Sequence, residues 1–214
     1  MLTQSEIEAR LLSQYFSCRP HYQKIIDIAT VLIESKLIDL RHNKQPWERI
    51  DLRSRVKEFR SAVNKQRGEA NMLAPSASFI KLNDMAALKI RVFPNDYLKP
   101  VQNIIKRLFP GAKPDHDPKQ EQINADYSNV NRLKFFATLP KKYAIKTKFE
   151  IQIVPFVLDA FMDVQHDIVY KPDVKLPKLI PQLMIMPTEV VIPALRQWSK
   201  EVTKIIKDYG SKHH

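Results

Sequence analysis

The segment FEIQIVPFVLDAFMDVQHDIVYK, residues 149–171, decides the fold prediction. In its first half, apolar and polar side chains alternate, which predicts a hydrophobic strand with Glu150 and Gln152 on one face. From Pro155 onward the spacing changes to that of a helix. Because burying an unpaired charge is costly, Glu150 in this strand implies a metal, a basic partner or a wet cleft. The cleft interpretation favours an enzyme.

Composition predicts a single compact globular unit. The chain has 214 residues, of which 44% are hydrophobic and 27% are charged, which is ordinary for a domain with a full core. No apolar run approaches the roughly 20 residues of a membrane span, and the amino terminus lacks the order of a signal peptide. The single cysteine, Cys18, excludes an intramolecular disulfide and fits a reducing compartment. We therefore expect a cytoplasmic protein without a membrane partner.

The charge distribution indicates a phosphate-bearing partner. The formal net charge is +12, and residues 41–67 hold nine basic against three acidic side chains, which is half of that excess. A local field of this kind attracts phosphate on a nucleotide or a nucleic acid. The alternative is a solvated basic face. The basic residues alternate with apolar ones, which favours the phosphate interpretation.

The order of elements predicts an α+β fold, with a mixed sheet of about four or five strands flanked by helices. Two helices separated at Arg19-Pro20 are expected first, and a final helix is expected to bury Trp198 and Ile205. The polar stretch from Pro110 to Asp126 reads as a loop. We divide the chain into amino-terminal helices (1–45), a core (46–175) and a carboxy-terminal helical extension packed on that core (176–214).

The motifs in the sequence limit the ways in which this chain could bind a nucleotide. The three glycines lie far apart, so there is neither a dinucleotide fingerprint nor a P-loop. What remains is two carboxylates on separate strands, Asp84 and Glu150, with a basic cluster of Arg55, Lys57 and Lys65. Magnesium commonly binds one or two carboxylates together with substrate phosphates, and fixed cations hold polyphosphate during phosphoryl-type transfer. Structural salt bridges are the alternative explanation of the same residues.

Four segments, in order, resemble the synthetase domain of the RelA/SpoT alarmone synthetases. They are RVKEFRSAVNK (55–65), NDMAALKIRV (83–92), DYSNVN (126–131) and FEIQI…DAF…QHDIVYK (149–171). They are similar to the family patterns R-x-K…S…K, D-x-x-G-x-R-[IV], G-Y-R-S-x-H and E-I-Q-I…D-A-W…E-H…Y-K. The resemblance implies a nucleotidyltransferase-like fold and a stand-alone pyrophosphokinase that transfers pyrophosphate from ATP to the 3′ hydroxyl of GDP or GTP.

The resemblance also implies roles on the donor side. Arg55 and Lys57 would be ligands of the ATP phosphates, with Ser61 and Lys65 on the following helix. Asp84 would occupy the Mg²⁺ position. Glu150 would be either the second metal carboxylate or the base that activates the acceptor hydroxyl.

On the acceptor side, the resemblance implies that Tyr127 stacks on the acceptor base, with Asn131 and Gln152 as further contacts. His166 and Lys171 are candidates for supporting residues. Their structural alternatives are a packing histidine and a lysine that caps helix carbonyls.

The departures from the family patterns are concentrated in the acceptor loop. Asp126, Ser128 and Asn131 stand where the family has glycine, arginine and histidine. The donor half keeps its pattern, so ATP as donor is better supported than a guanine nucleotide as acceptor. Two alternatives stay open: a toxin-like enzyme that pyrophosphorylates the 3′ end of tRNA, which suits the basic surface, and a domain that binds nucleotide or RNA without catalysis. A homo-oligomer and an antitoxin partner are likewise open.

Overall fold

A computed structural model of the chain describes residues 3–42, 48–67, 72–79, 82–115, 132–160, 163 and 190–212. These residues form a mixed five-stranded sheet flanked by helices, which confirms the predicted α+β class. The strands are β1 (Arg49–Val56), β2 (Ala86–Phe93), β3 (Lys113–Pro114), β4 (Leu133–Ala137) and β5 (Phe149–Pro155). The helices are α1 (Gln4–His42), α2 (Phe59–Gln66), α3 (Leu98–Leu108) and α4 (Ile192–Lys212).

The strand order is β1-β2-β5-β4-β3, in which β2 and β5 are parallel and every other pair is antiparallel. One face of the sheet is apolar and carries the core. Its fully buried side chains include Ile90, Phe135 and Ile151. Helix α1 contacts β1 and β2, while α3 contacts β5, so this face is covered. The opposite face carries polar residues at the alternate positions of the same strands.

The prediction of two helices before residue 43 is wrong, because α1 runs without a break through Pro20. Proline inside a helix costs about 3 kcal/mol, since it removes one hydrogen bond and crowds the preceding turn. The buried stripe of α1 includes Tyr15 before the proline and Tyr22 after it. This stripe continues in helical phase across Pro20, so we attribute the unbroken helix to packing against the core.

Two other elements, β3 and α4, differ from expectation. Residues Lys113–Pro114, which we expected in a loop, form β3 against β4. Helix α4 continues past Gly210 to Lys212. Its Trp198 and Ile205 were expected to be buried, but their exposed fractions are 49% and 64%. Trp198 instead stacks on Phe93, with ring centroids 6.1 Å apart.

Within the described residues, no helix combines the length and the apolar character that crossing a bilayer requires.

Candidate functional site

The polar face of the sheet is assembled by strand register. One row pairs Arg55 of β1 with Ala87 of β2, which in turn pairs with Glu150 of β5. The next row brings Arg53, Lys89, Gln152 and Lys134 side by side. Because paired residues in a sheet point to the same side, residues from four strands converge on one surface.

A cavity of about 540 Å³ opens over this polar face. Its charged and amide-bearing lining residues are Arg53, Arg55, Lys89, Arg132, Gln152, Asp159 and Asp163. The two predicted site residues in this lining are Arg55 and Gln152. We did not predict Arg53, although the period-two pattern of β1 places it on the same face as Arg55.

Three guanidinium groups of the cavity have no ion-pair partner within the described part of the chain. They belong to Arg53, Arg55 and Arg132, all of which are exposed. Arginine presents a planar set of donors that matches phosphate oxygens. The cavity is therefore suited to a polyanion such as a nucleotide phosphate chain.

A helical segment at residues 156–160 follows β5 and contributes Asp159 to the cavity. Lys89 Nζ donates to Asp159 Oδ1 at 2.8 Å and to Asp163 Oδ1 at 3.3 Å. Asp159 is 5% exposed, and its Oδ2 is buried without a partner in the described structure. We assigned no role to Asp159 from the sequence, although it lies in the DAF portion of the fourth motif segment.

Asp84 lies just before β2 and is held by two lysines. Its Oδ2 accepts hydrogen bonds from Lys57 Nζ at 2.9 Å and from Lys65 Nζ at 2.6 Å. Burial raises the pKa of Asp84, but the hydrogen bonds and charges of Lys65 and Lys57 outweigh it and bring the pKa below its usual value. We call these three residues the Asp84 cluster. Lys57 lies two residues after Arg55, just past the end of β1. Because Arg55 lines the cavity, the Asp84 cluster lies beside it.

Asp84 is suited to be one ligand of a divalent ion. Its Oδ1 is buried and has no hydrogen-bond partner in the described structure, whereas buried polar atoms normally have one. Carboxylate oxygen is a preferred ligand of Mg²⁺, which usually completes its coordination with phosphates and water. The described residues contain no group of three or more His, Cys, Asp or Glu side chains that would form an all-protein site.

Glu150 belongs to a second group of charged residues. It is 4% exposed, and Gln152 Nε2 donates a hydrogen bond to its Oε1. Lys134 Nζ lies 3.1 Å from Glu150 Oε2 and 2.7 Å from Asp115 Oδ2. We call these four residues the Glu150 cluster. Of the three environments that the sequence allowed for Glu150, the structure shows a basic partner.

Lys134 is a well-anchored cation. Burial lowers its pKa, but the hydrogen bonds and charges of Asp115 and Glu150 outweigh that effect, so its pKa is raised. Its ammonium also lies 4.8 Å from the centroid of the Phe136 ring. A raised pKa keeps Lys134 charged over the whole physiological range.

The other predicted residues have mixed outcomes. Ser61 lies on α2 one turn before Lys65 and is exposed. Four predicted residues lie outside the described residues: Tyr127, Asn131, His166 and Lys171. That Asp84 and Glu150 share one Mg²⁺ stays a prediction. The structure holds each of these carboxylates in its own cluster.

Solved structures similar to this chain share one fold. Small alarmone synthetase 1 from Bacillus subtilis, bound to its product pppGpp, has a TM-score of 0.67 at 16% identity, with coverage of 92% of this chain and 99% of that chain. The same enzyme bound to AMPCPP has a TM-score of 0.60 at 16% identity, covering 87% and 94%. A GTP pyrophosphokinase family protein from Streptococcus pneumoniae has a TM-score of 0.64 at 18% identity, covering 94% and 96%.

The fold is that of the small alarmone synthetases. This agrees with the resemblance to RelA/SpoT synthetase domains that the four sequence segments show. No protein-family model matches the sequence, and no curated protein matches it either. A shared fold does not establish a shared reaction. The chemistry of this chain depends on the two clusters and on the cavity that the strands form with the 156–160 segment.

Proposed function

We propose that this protein is an ATP-dependent pyrophosphokinase that transfers pyrophosphate to the 3′ hydroxyl of GDP or GTP. The observation that carries the proposal is a cavity with three arginines that have no ion-pair partner among the described residues, beside a carboxylate with one unpartnered oxygen in the same part of the chain. Phosphoryl-type transfer depends mainly on positioning and on charge neutralisation. The polar face offers residues for both.

The donor would bind at the β1 end of the cavity. Arg53 and Arg55 present exposed guanidinium groups there, and Lys57 and Lys65 add positive charge around Asp84. Asp84 Oδ1 is the oxygen that fits Mg²⁺, which when bound would neutralise charge on the donor phosphates. The complex of the Bacillus enzyme with AMPCPP supports nucleotide binding in this fold.

The acceptor would lie on the β5 side, near Gln152 and the Glu150 cluster. In the proposed reaction the acceptor 3′ oxygen bonds to the β phosphorus of ATP, while the bond from that phosphorus to the oxygen bridging the α and β positions breaks. The bond electrons leave with AMP, and the acceptor proton passes to the Glu150 carboxylate. Tyr127 and Asn131 are proposed contacts of the acceptor from the loop segment of the motif.

An assay with three acceptors tests this proposal. Purified protein receives Mg²⁺ and ATP labelled on its γ phosphate, with GDP, GTP or tRNA offered separately, and AMP and the labelled product are measured. The proposal predicts equal amounts of AMP and of a GDP or GTP product carrying two added phosphates. Product on tRNA alone would support the toxin-like alternative, which the net charge of +12 favours. Binding without AMP formation would indicate a catalytically silent domain.

A further inference from the structure

We infer that Lys134 is a positioning residue that holds Glu150 for the acceptor hydroxyl and keeps divalent ions off that carboxylate. The inference rests on the proposed function, because it assigns a role within the same site. It chooses between the two roles open to Glu150, which are metal ligand and acceptor-side carboxylate. Lys134 itself touches neither substrate in this account.

The first support is that each oxygen of Glu150 already has a partner. Oε1 accepts a hydrogen bond from Gln152, its neighbour on the same face of β5. Oε2 lies 3.1 Å from Lys134 Nζ. Mg²⁺ requires oxygen ligands at about 2.0–2.1 Å in near-octahedral geometry. A divalent ion at Oε2 would therefore lie close to the ammonium of Lys134 and be repelled by its charge.

The second support is that Lys134 is itself fixed from three sides. Its Nζ lies 2.7 Å from Asp115 Oδ2, and its carbonyl accepts a hydrogen bond from the Asp115 amide at 2.9 Å. Its ammonium lies over the ring of Phe136. Asp115 directly follows β3, so the short β3–β4 pair forms a clamp that reaches Glu150 through Lys134.

The third support is the contrast with Asp84. Asp84 Oδ2 is shared by two lysines, but its Oδ1 is buried and unpartnered in the described structure. Among the described residues, an incoming ion would find one oxygen without a partner at Asp84, whereas each oxygen of Glu150 has one. The geometry therefore separates the two carboxylates into an ion-facing one and an acceptor-facing one.

Mn²⁺ binding to the full chain in the presence of AMPCPP, followed by electron paramagnetic resonance, tests the inference without relying on catalysis, because this ATP analogue keeps the metal-binding phosphates but has a methylene group in place of the bridging oxygen whose bond breaks. We expect Glu150→Gln to leave Mn²⁺ binding within about twofold of wild type, and Lys134→Met to gain Mn²⁺ binding that the double variant K134M/E150Q lacks. The gain is expected because the vacated space leaves Glu150 Oε2 as a buried anionic ligand. Loss of wild-type Mn²⁺ binding in Glu150→Gln, or no gain in Lys134→Met, would overturn the inference.

Kinetics supply the second readout. We expect Lys134→Met to lower kcat by about 10- to 100-fold through misplacement of Glu150, with the KM for ATP within about twofold of wild type. Lys134→Arg should restore most of kcat, because it keeps a cation that reaches both carboxylates. Lys141→Met is the matched control, since Lys141 is exposed in a short 3-10 helix and does not line the cavity. Wild-type kcat in Lys134→Met would contradict a positioning role.

Folding and function are separable in this design. Thermal melting checks that Lys134→Met is folded, and Lys134→Arg provides a second, less disruptive variant. If the wild-type chain forms no product with any of the acceptors GDP, GTP and tRNA, the proposed function fails. The Mn²⁺ measurement then still decides whether Lys134 keeps the ion off Glu150.

Discussion

The Asp84 cluster and the Glu150 cluster are built from the same chemistry and yet leave their carboxylates in different states. The Asp84 side chain is 13% exposed, and it concentrates two lysines on one oxygen while the other oxygen has no partner in the described structure. The Glu150 side chain is 5% exposed, with one oxygen engaged by an amide and the other by a lysine. An oxygen without a partner leaves a ligand position for an ion, whereas a carboxylate with a partner on each oxygen is held in one orientation.

Strand register places these two clusters at the same end of the polar face. Glu150 pairs with Ala87, and Ala87 pairs with Arg55. Lys57, two residues after Arg55, donates a hydrogen bond from its backbone amide to the Met85 carbonyl and one from its ammonium to Asp84. The comparison therefore concerns two neighbouring carboxylates that divide the work of one proposed site. The Glu150 and Asp84 variants described next each disturb one cluster and leave the other in place.

The largest effect is expected at Glu150. Glu150→Gln keeps the shape of the side chain but removes its charge and most of its capacity to accept a proton. We predict a fall in kcat of about 100- to 10,000-fold, with ATP affinity unchanged by calorimetry. Glu201→Gln, on an exposed position of α4, should behave like wild type. Normal turnover in Glu150→Gln would remove Glu150 from the site.

At Asp84 we expect a smaller effect that depends on the metal. Asp84→Asn should raise the Mg²⁺ concentration needed for half-maximal rate by at least about tenfold, since an amide is a poorer ligand than a carboxylate. A Mg²⁺ titration of the transfer rate measures this. If Glu150→Gln raised the Mg²⁺ requirement and Asp84→Asn did not, the division between the clusters would be reversed.

Arg55 should contribute mainly to binding of the donor. Removing one charge-assisted hydrogen bond costs about 1.5–3 kcal/mol, so Arg55→Ala should weaken ATP binding by roughly 10- to 100-fold with a modest change in kcat. Calorimetry with AMPCPP measures the affinity directly. Arg60→Ala is the matched control, because Arg60 is exposed on α2 and does not line the cavity. Equal losses in both variants would indicate a diffuse basic surface instead of a phosphate site.

The smallest effect is on stability. The lysines lower the pKa of Asp84 below its usual value, so its ion pairs stabilise the fold above about pH 4. This stabilisation is lost as the pH falls through the lowered pKa, where the folded state also becomes protonated. We therefore expect Asp84→Asn to lower the free energy of unfolding by about 1 kcal/mol at pH 7, and by less as the pH approaches 2.

Urea unfolding of wild type and Asp84→Asn at several pH values checks this dependence. Asp27→Asn, an exposed position on α1 bonded to Gln23, is the control. A stability difference for Asp84→Asn that does not change with pH would show that the effect comes from packing and not from charge.

The sequence predicted the sheet better than the ends of its elements. The strand predicted to carry Glu150 and Gln152 on one face is observed as β5, because alternation of side chains is a local signal. The unbroken helix α1 was missed because the rule for proline is local, whereas the core contacts that hold Tyr15 and Tyr22 are tertiary. Strand β3 was missed because two residues are too few to show a period.

The site was predicted only in part, because some of its residues are marked by local sequence patterns and others are brought together by tertiary contacts. Residues within a motif segment, such as Arg55 and Gln152, are recognised by spacing, and the structure places both in the cavity. Lys134 and Asp115 carry no motif. Their partnership with Glu150 arises from pairing of β3, β4 and β5, which sequence spacing alone does not reveal. The buried acid implied a partner, but its identity required the register.

A crystal structure of the chain with AMPCPP and Mn²⁺ tests the central claim most directly, since anomalous scattering locates the ion independently of the protein. The account predicts donor phosphates within hydrogen-bond distance of Arg55 and an anomalous peak beside Asp84 Oδ1, with Lys134 still paired to Glu150. A nucleotide bound away from the polar face, or an ion coordinated by Glu150 in place of Lys134, would contradict it.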